Sequence, residues 1–348
     1  MREKVPTSTS TSASVEKSNA GKSSLETSHT QMQSLINELG RTSRFAREQT
    51  PDGRERIHSP ERGEYGIRYV INAKDPVVKK IHATMVKEFG REESETLTWL
   101  RHTIRKDLNR YHVAETPEGK VAAFSNTQYL ELESSQGKED DPKESIVPIW
   151  HIVSDPALRN QGVASELYQS FYQDALAEAK KRGNVVKGII GEAVSSVEKF
   201  LNRMGRKRMY FEDQGGNIHE VPYMCPPVDM DDATGEPREN PCPEHVMLRL
   251  VNGEQKMPKE DLLRMVKAMY VEYVGARENY DTEEAYQKSL GYNMRLLEQM
   301  ADAMSQSKDG TVFMMSREER DAKRQNLEKR GKKLVEVTTE DDEIGEGE

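Results

Sequence analysis

From about residue 64 onward, short apolar runs alternate with longer amphipathic stretches, and their spacing names the elements. Residues 146–153, Ile-Val-Pro-Ile-Trp-His-Ile-Val, form a strand-like apolar run ended by Ser154-Asp155-Pro156. Val163, Leu167, Phe171, Ala175 and Ala179 then recur every four residues, with Tyr168, Tyr172 and Leu176 beside them. That spacing predicts an amphipathic helix over about 164–182. Lys180, Lys181 and Arg182 suit its negative end, and Gly183 suits its stop. Residues 185–190 carry a short buried-strand pattern. Ser195 and Glu198 are spaced as a capping box opening a second helix, with Val197, Phe200, Leu201 and Met204 on one face and Gly205 at its end. Residues 207–211 and 218–223 flank Gln214-Gly215-Gly216-Asn217 as a hairpin.

Upstream, the pattern predicts a strand over 67–71, helices over 76–89 and 93–104, and a hairpin of 111–115 with 121–132 across Pro117-Glu118-Gly119. Downstream of a Pro- and acid-rich linker at 228–243, residues 244–250 read as a strand. A helix follows from near Pro258, with Leu262, Val266, Met269, Tyr270 and Tyr273 on one face. Asp281 and Glu284 are placed to cap another, with Ala285, Leu290, Met294, Leu297, Ala301 and Met304 inside. Ser316 and Glu319 open a charged final helix. Residues 244–330 are therefore expected to be a mainly helical extension, its methionines filling the core, with an adaptable partner surface as the alternative.

The junction at Arg159-Asn160-Gln161-Gly162-Val163-Ala164 carries the candidate chemistry. A helix start leaves its first N–H groups unpaired and bears partial positive charge, so it holds phosphate without a special side chain. Gly162 lets the backbone approach an anion closely. Ala164 is small for the same reason, and Arg159 adds a permanent charge at the rim. An ordinary strand–turn–helix, whose glycine merely makes the turn, is the alternative.

In this order, strand, loop, helix, strand, helix and hairpin, the chain resembles the GNAT superfamily of acetyl-CoA-dependent N-acetyltransferases. The resemblance rests on Ser154-Asp155-Pro156, on Arg159 to Ala164, and on the helix ending Phe200-Leu201-Asn202-Arg203-Met204-Gly205, and it spans 64–227. It implies an α+β or α/β fold in which a mixed central sheet is flanked by helices. It also implies an acetyl-CoA site. The backbone at Val153 and Ser154 would hold the pantetheine arm and polarise the thioester. Arg159, Asn160 and the amides of Gln161, Gly162, Val163 and Ala164 would wrap the pyrophosphate. A primary amine, on a small molecule or a protein, would attack the thioester directly in a ternary complex.

Many relatives carry a tyrosine four residues before the glycine closing the second helix, where it protonates the leaving thiolate. This chain has Leu201 there. Tyr168, Tyr172 and Tyr210 are substitutes, with packing as the alternative for each. Glu192, at the end of a strand, is the best-placed general base, and His151 is a group able to titrate near neutral pH. A rim carboxylate and a hydrogen-bonded strand histidine are the plainer alternatives. The polar insertion at 133–145 would lie near the acceptor side, shaping substrate access or forming a solvated hairpin extension.

Composition sets the surroundings. Of the 348 residues 32% are charged, against 34% hydrophobic, so much of the chain is solvated. Residues 1–63, rich in Ser and Thr, and the acidic stretch 331–348 are expected to be disordered. No run is long enough to span a membrane. Two cysteines make no disulfide framework, which favours a reducing cytoplasm. His219, Cys225, Cys242 and His245 include one C-x-x-H spacing, but their other gaps are irregular, so no metal is expected. With net charge −9 and scattered basic residues, nucleic-acid binding is not favoured. Arg203, Arg206, Lys207 and Arg208 are assigned to the coenzyme A phosphates or to solvent, and a homodimer is allowed. Three functions stand: an N-acetyltransferase, a catalytically weak acyl-CoA-binding protein, and a scaffold working through its helical second half.

Overall fold

The protein is described by a computed structural model over residues 25–39, 46–49, 55–59, 63–90, 96–133, 142–193, 197–227, 230–275 and 277–339. Its elements are α1 (residues 25–39), β1 (Ala46–Gln49), β2 (Glu55–Ser59), β3 (Gly63–Tyr69), α2 (Pro76–Phe89), α3 (Leu97–Lys106), β4 (Arg110–Glu115), β5 (Val121–Thr127), β6 (Leu130–Glu131), β7 (Glu144–Ser154), α4 (Val163–Arg182), β8 (Val185–Ala193) and α5 (Glu198–Arg203). They continue as β9 (Lys207–Glu212), β10 (Ile218–Glu220), β11 (Tyr223–Cys225), β12 (Cys242–Leu250), β13 (Lys256–Pro258), α6 (Lys259–Val274), α7 (Glu283–Met304), β14 (Thr311–Met315), α8 (Arg317–Glu328) and β15 (Leu334–Val335).

A mixed sheet flanked by helices runs β1-β2-β3-β4-β5-β7-β8-β12-β9-β10-β15, with β14 also paired to β9. β7 and β8 are parallel because α4 carries the chain across between them. Neighbouring residues on the central strands point to opposite layers. Val147, Ile189 and Met247 pack under α4 and α1, while Ile146, Ile190 and Leu248 pack under α6 and α7. Toward the first strands α4 buries Val163 and Leu167 against Ala114 and Ala123. On the opposite face Val113, Phe124 and Val153 meet α2 and α3. Two helical groups, α2–α3 and α6–α7, thus share the face away from α4.

The structure corrects several boundaries. Residues 1–63 are not featureless, because α1 buries Met32, Leu35, Ile36 and Leu39, the i, i+3, i+4, i+7 face of a helix, against α4. Glu38 and Arg249 close that contact with a 2.8 Å ion pair. Residues 244–330 are not a helical appendage. Cys242–Leu250 lies inside the sheet between β8 and β9, because its inward residues Val246, Met247, Leu248 and Leu250 are apolar on both faces. Within the linker, Met230 packs with Val274, Tyr280 and Ala285. Within 331–348, β15 pairs β10 in parallel.

Two cap assignments also differ. Ser195 lies outside the described residues. Glu198 is no capping residue, since its carboxylate is buried between Arg208 (2.7 Å) and Arg320 (2.8 Å). Thr282 rather than Asp281 caps α7, whereas Ser316 and Glu319 form their capping box as spaced.

Candidate functional site

β7 leads into the loop and is unusual along its length. Its first half pairs with β8, from Glu144↔Val185 to Pro148↔Ile190, and there the two strands part. β8 turns to β12, while β7 continues against β5 alone. The β5 register passes from Thr127↔Ile149 to Asn126↔His151, so Trp150 is an extra residue, a bulge at the point of divergence. From Ile149 to Ser154 the β8-facing edge of β7 has no strand partner among the described residues. Main-chain groups along that edge are available to a ligand.

At the end of the edge the loop is built by local turns. Asp155 accepts from the Ala157 amide at 2.9 Å and starts a short 3-10 turn over Pro156–Leu158. Asn160 (φ 64°) and Gly162 (φ 88°) then take the left-handed conformation, which reverses the chain into α4. Val163 is buried and anchors the helix start. Gly162 is the N-cap and supplies no side-chain hydrogen bond. The amides of Gln161, Gly162, Val163 and Ala164 find no acceptor among the described residues, while those of Ser165 and Glu166 reach the Gly162 carbonyl at 3.0 and 3.3 Å. Four unpaired donors at a helix start are an anion cradle.

The side chains around the cradle hold it in place. Arg159 donates to Glu88 at 2.6 Å and to the Ser154 carbonyl at 3.3 Å, clamping the loop to the end of α2. Its charge is therefore shared with a carboxylate rather than left free at the rim. The Gln161 side-chain oxygen accepts from the Tyr65 hydroxyl at 2.5 Å. Val153 points into the α2–α3 core, so its contribution at the edge is backbone alone.

Where β7 and β8 diverge, Glu192 lies half-buried beneath α6. Its Oε1 accepts from the Tyr223 hydroxyl and its Oε2 from the Tyr273 hydroxyl, and the Cys225 thiol donates to that same Oε2 at 3.6 Å. Burial raises its pKa above the ordinary carboxylate range, partly opposed by those bonds. Tyr273 meets the Trp150 ring edge-on, centroids 5.1 Å apart. The Trp150 N–H donates to Gln128 (2.7 Å), whose amide donates to Glu272 (2.6 Å), a second carboxyl raised by burial. The bulge, two aromatic rings and two carboxyls with raised pKa thus meet at one place. Gln128, Glu272, Tyr223 and Tyr273 escape sequence reasoning because they converge from β11, α6 and the turn after β5.

Other candidates are dispersed. His151 packs against Phe89 with ring centroids 5.1 Å apart, and its Nδ1 has no hydrogen-bond partner among the described residues. Burial pushes its pKa down to about 4, so it stays neutral near pH 7, contrary to the expectation of near-neutral titration. Leu201 sits in the core under α4. Of the three substitute tyrosines, Tyr210 bonds Arg320 away from the splay, and the Tyr172 hydroxyl has no partner among the described residues. Tyr168 accepts from Arg206 at 3.3 Å.

The basic cluster does not border solvent as a unit, since Arg206 and Arg208 are both buried. The four metal-type residues also separate. His219 bonds Asp213 at 2.9 Å and His245 bonds Glu220 at 2.7 Å. Cys225 and Cys242 face one another across β11 and β12, with Glu244 close by. No helix among the described residues is long and apolar enough to cross a membrane.

From β3 to β9 the structure keeps the element order on which the resemblance to the GNAT superfamily rests. No family model and no curated protein matches the chain. Solved structures similar to it include the Arabidopsis thaliana protein NAA60 in complex with acetyl-CoA, at 12% identity over 54% of this chain and 99% of that one, with a TM-score of 0.37. An aminoglycoside acetyltransferase from an uncultured soil metagenomic sample is 13% identical over 40% of this chain and 84% of that one, with a TM-score of 0.31. A Trypanosoma brucei acetyltransferase is 14% identical over 40% and 91%, with a TM-score of 0.31.

Proposed function

We propose that this protein transfers an acetyl group from acetyl-CoA to a primary amine by direct attack in a ternary complex. One observation carries the reading: among the described residues, a helix start with four unpaired amides follows directly on a strand whose outer edge is open. Pyrophosphate suits the first and an extended amide-bearing arm suits the second. The five residue steps from Ser154 back to Ile149 span about 17 Å. An arm bound along them would bring its thioester to the bulge at Trp150.

At that place Glu192 is the base. Its raised pKa makes its carboxylate a better proton acceptor than an exposed one, and its two tyrosine hydroxyls fix its orientation. The amine nitrogen attacks the thioester carbon, its proton passes to Glu192, and sulfur leaves with the bonding pair. Trp150, Tyr273 and Glu272 favour a cationic amine as acceptor, through ring faces and negative charge. His151, neutral and without a polar partner at Nδ1, is assigned packing against Phe89 and no proton transfer.

The test is thiol release from acetyl-CoA against a panel of small amines and peptide amines. The reading requires release that depends on both substrates. A second reading, acyl-CoA binding without turnover, is favoured by the buried Leu201 where a tyrosine acid would stand. It would show as binding with no release on any amine.

A further inference from the structure

Arg206 is 1% exposed and has no carboxylate partner among the described residues. One guanidinium nitrogen reaches the Tyr168 oxygen at 3.3 Å, another the Met247 carbonyl at 3.4 Å, and Nε is unpartnered. Glu192 lies within Coulombic reach of it but makes no direct ion pair, and a buried cation without a carboxylate in contact costs several kcal/mol, so its position calls for a reason. That position is the splay itself. A Cβ built on Gly191 would lie 2.5 Å from the Arg206 Nη2 and 2.6 Å from the Ile149 carbonyl. The guanidinium therefore occupies the room that a glycine on β8 leaves, beside the residue where β7 loses its partner. Tyr168 adds a second surplus donor, since its oxygen accepts from Arg206 and its own hydrogen has no acceptor among the described residues. Buried donors in excess, with no acceptor, form a site for a developing anion.

We propose that Arg206, with the Tyr168 hydroxyl beside it, stabilises the coenzyme A thiolate as it departs, in place of a tyrosine at 201. This rests on the donor-site reading above, which brings the thioester to Ile149–Trp150. As the C–N bond forms and the C–S bond breaks, sulfur takes the bonding pair and is held as an ion pair against the guanidinium, with a hydrogen bond from Tyr168. The charged and titratable groups facing this point are Tyr168 and Tyr172 on α4, Glu192 on β8, Arg249 on β12 and Glu38 on α1. Glu192 opposes a thiolate, while the charge of Glu38 is paired with Arg249 at 2.8 Å.

The experiment titrates the thiol of bound coenzyme A by its thiolate absorbance, in the wild type, Arg206→Met and Arg206→Lys. S-methyl-CoA serves as the binding control. Met preserves bulk without charge, and Lys keeps charge if Met fails to fold. In the wild type the bound thiol should ionise at least ~1 pH unit below that of free coenzyme A, an approximately tenfold preference for thiolate. Arg206→Met should lose the shift while binding S-methyl-CoA within about threefold of wild type, and Arg206→Lys should keep part of it. An unshifted thiol in a wild-type complex overturns the proposal, and so does a shift that survives Arg206→Met. If the wild type binds neither coenzyme A nor S-methyl-CoA, the donor-site reading fails first and this one with it.

Discussion

Replacing Gly162 by Asp separates anion binding from folding at the cradle. Gly162 is left-handed (φ 88°) and is the N-cap of α4. A Cβ there costs about 1–2 kcal/mol in backbone strain. Asp is among the side chains that tolerate this region, and as an N-cap at the positive helix end it returns about 1 kcal/mol. Net stability should therefore change by no more than ~1 kcal/mol. Binding should not survive. A carboxylate about 4 Å from a phosphate charge, at an effective dielectric of ~20, is repelled by ~4 kcal/mol. Salt screening removes part of this, leaving an expected loss of at least about 100-fold in affinity. Calorimetric titration with acetyl-CoA, paired with thermal unfolding, measures both quantities. Gly162→Ala carries the strain without the charge, so it should lose stability and retain most affinity. Affinity within threefold of wild type in a folded Gly162→Asp protein would refute the cradle.

Three further outcomes follow from the geometry. Glu192→Gln should lower the turnover of acetyl transfer by about 10²–10⁴ with acetyl-CoA affinity unchanged by calorimetry; full activity would remove Glu192 as base. His112 and His151 are both held near pKa 4 by burial, below their unfolded value. Their contribution to stability is fully present above about pH 6.5 and is lost as pH falls toward 4. Each brings a slope of up to ~1.4 kcal/mol per pH unit, and the His112→Gln/His151→Gln double variant should flatten that slope in urea titrations. Ile36→Ala on α1 should cost about 2–5 kcal/mol by the same method, whereas a cost below ~0.5 kcal/mol would mean that α1 is not docked.

The proposed donor half of the site is legible because its chemistry is local. Backbone amides at a strand–loop–helix junction leave their trace in six consecutive residues, and glycine at 162 marks the reversal. The proposed acceptor half is not, because Trp150, Gln128, Tyr223, Glu272 and Tyr273 come together only through pairing of β7 with β5 and packing of α6. Glu192 could be named from its place at a strand end, but not its tyrosine partners. α1 was missed since its face of Met32, Leu35, Ile36 and Leu39 is short and set in polar sequence. β12 read as a strand but gave no sign of its place between β8 and β9, which depends on register rather than composition. In sequence, Arg206 and Arg208 belong to a basic cluster assigned to the coenzyme A phosphates or to solvent. Only tertiary structure shows one neutralised by Glu198 and the other left beside the splay.

Calorimetric titration of acetyl-CoA into the wild-type protein, with and without competing pyrophosphate, tests the central claim most directly. The cradle and open strand edge require one saturable site per chain, weakened by pyrophosphate and lost in Gly162→Asp. Absence of saturable binding to the folded wild-type protein would contradict the account.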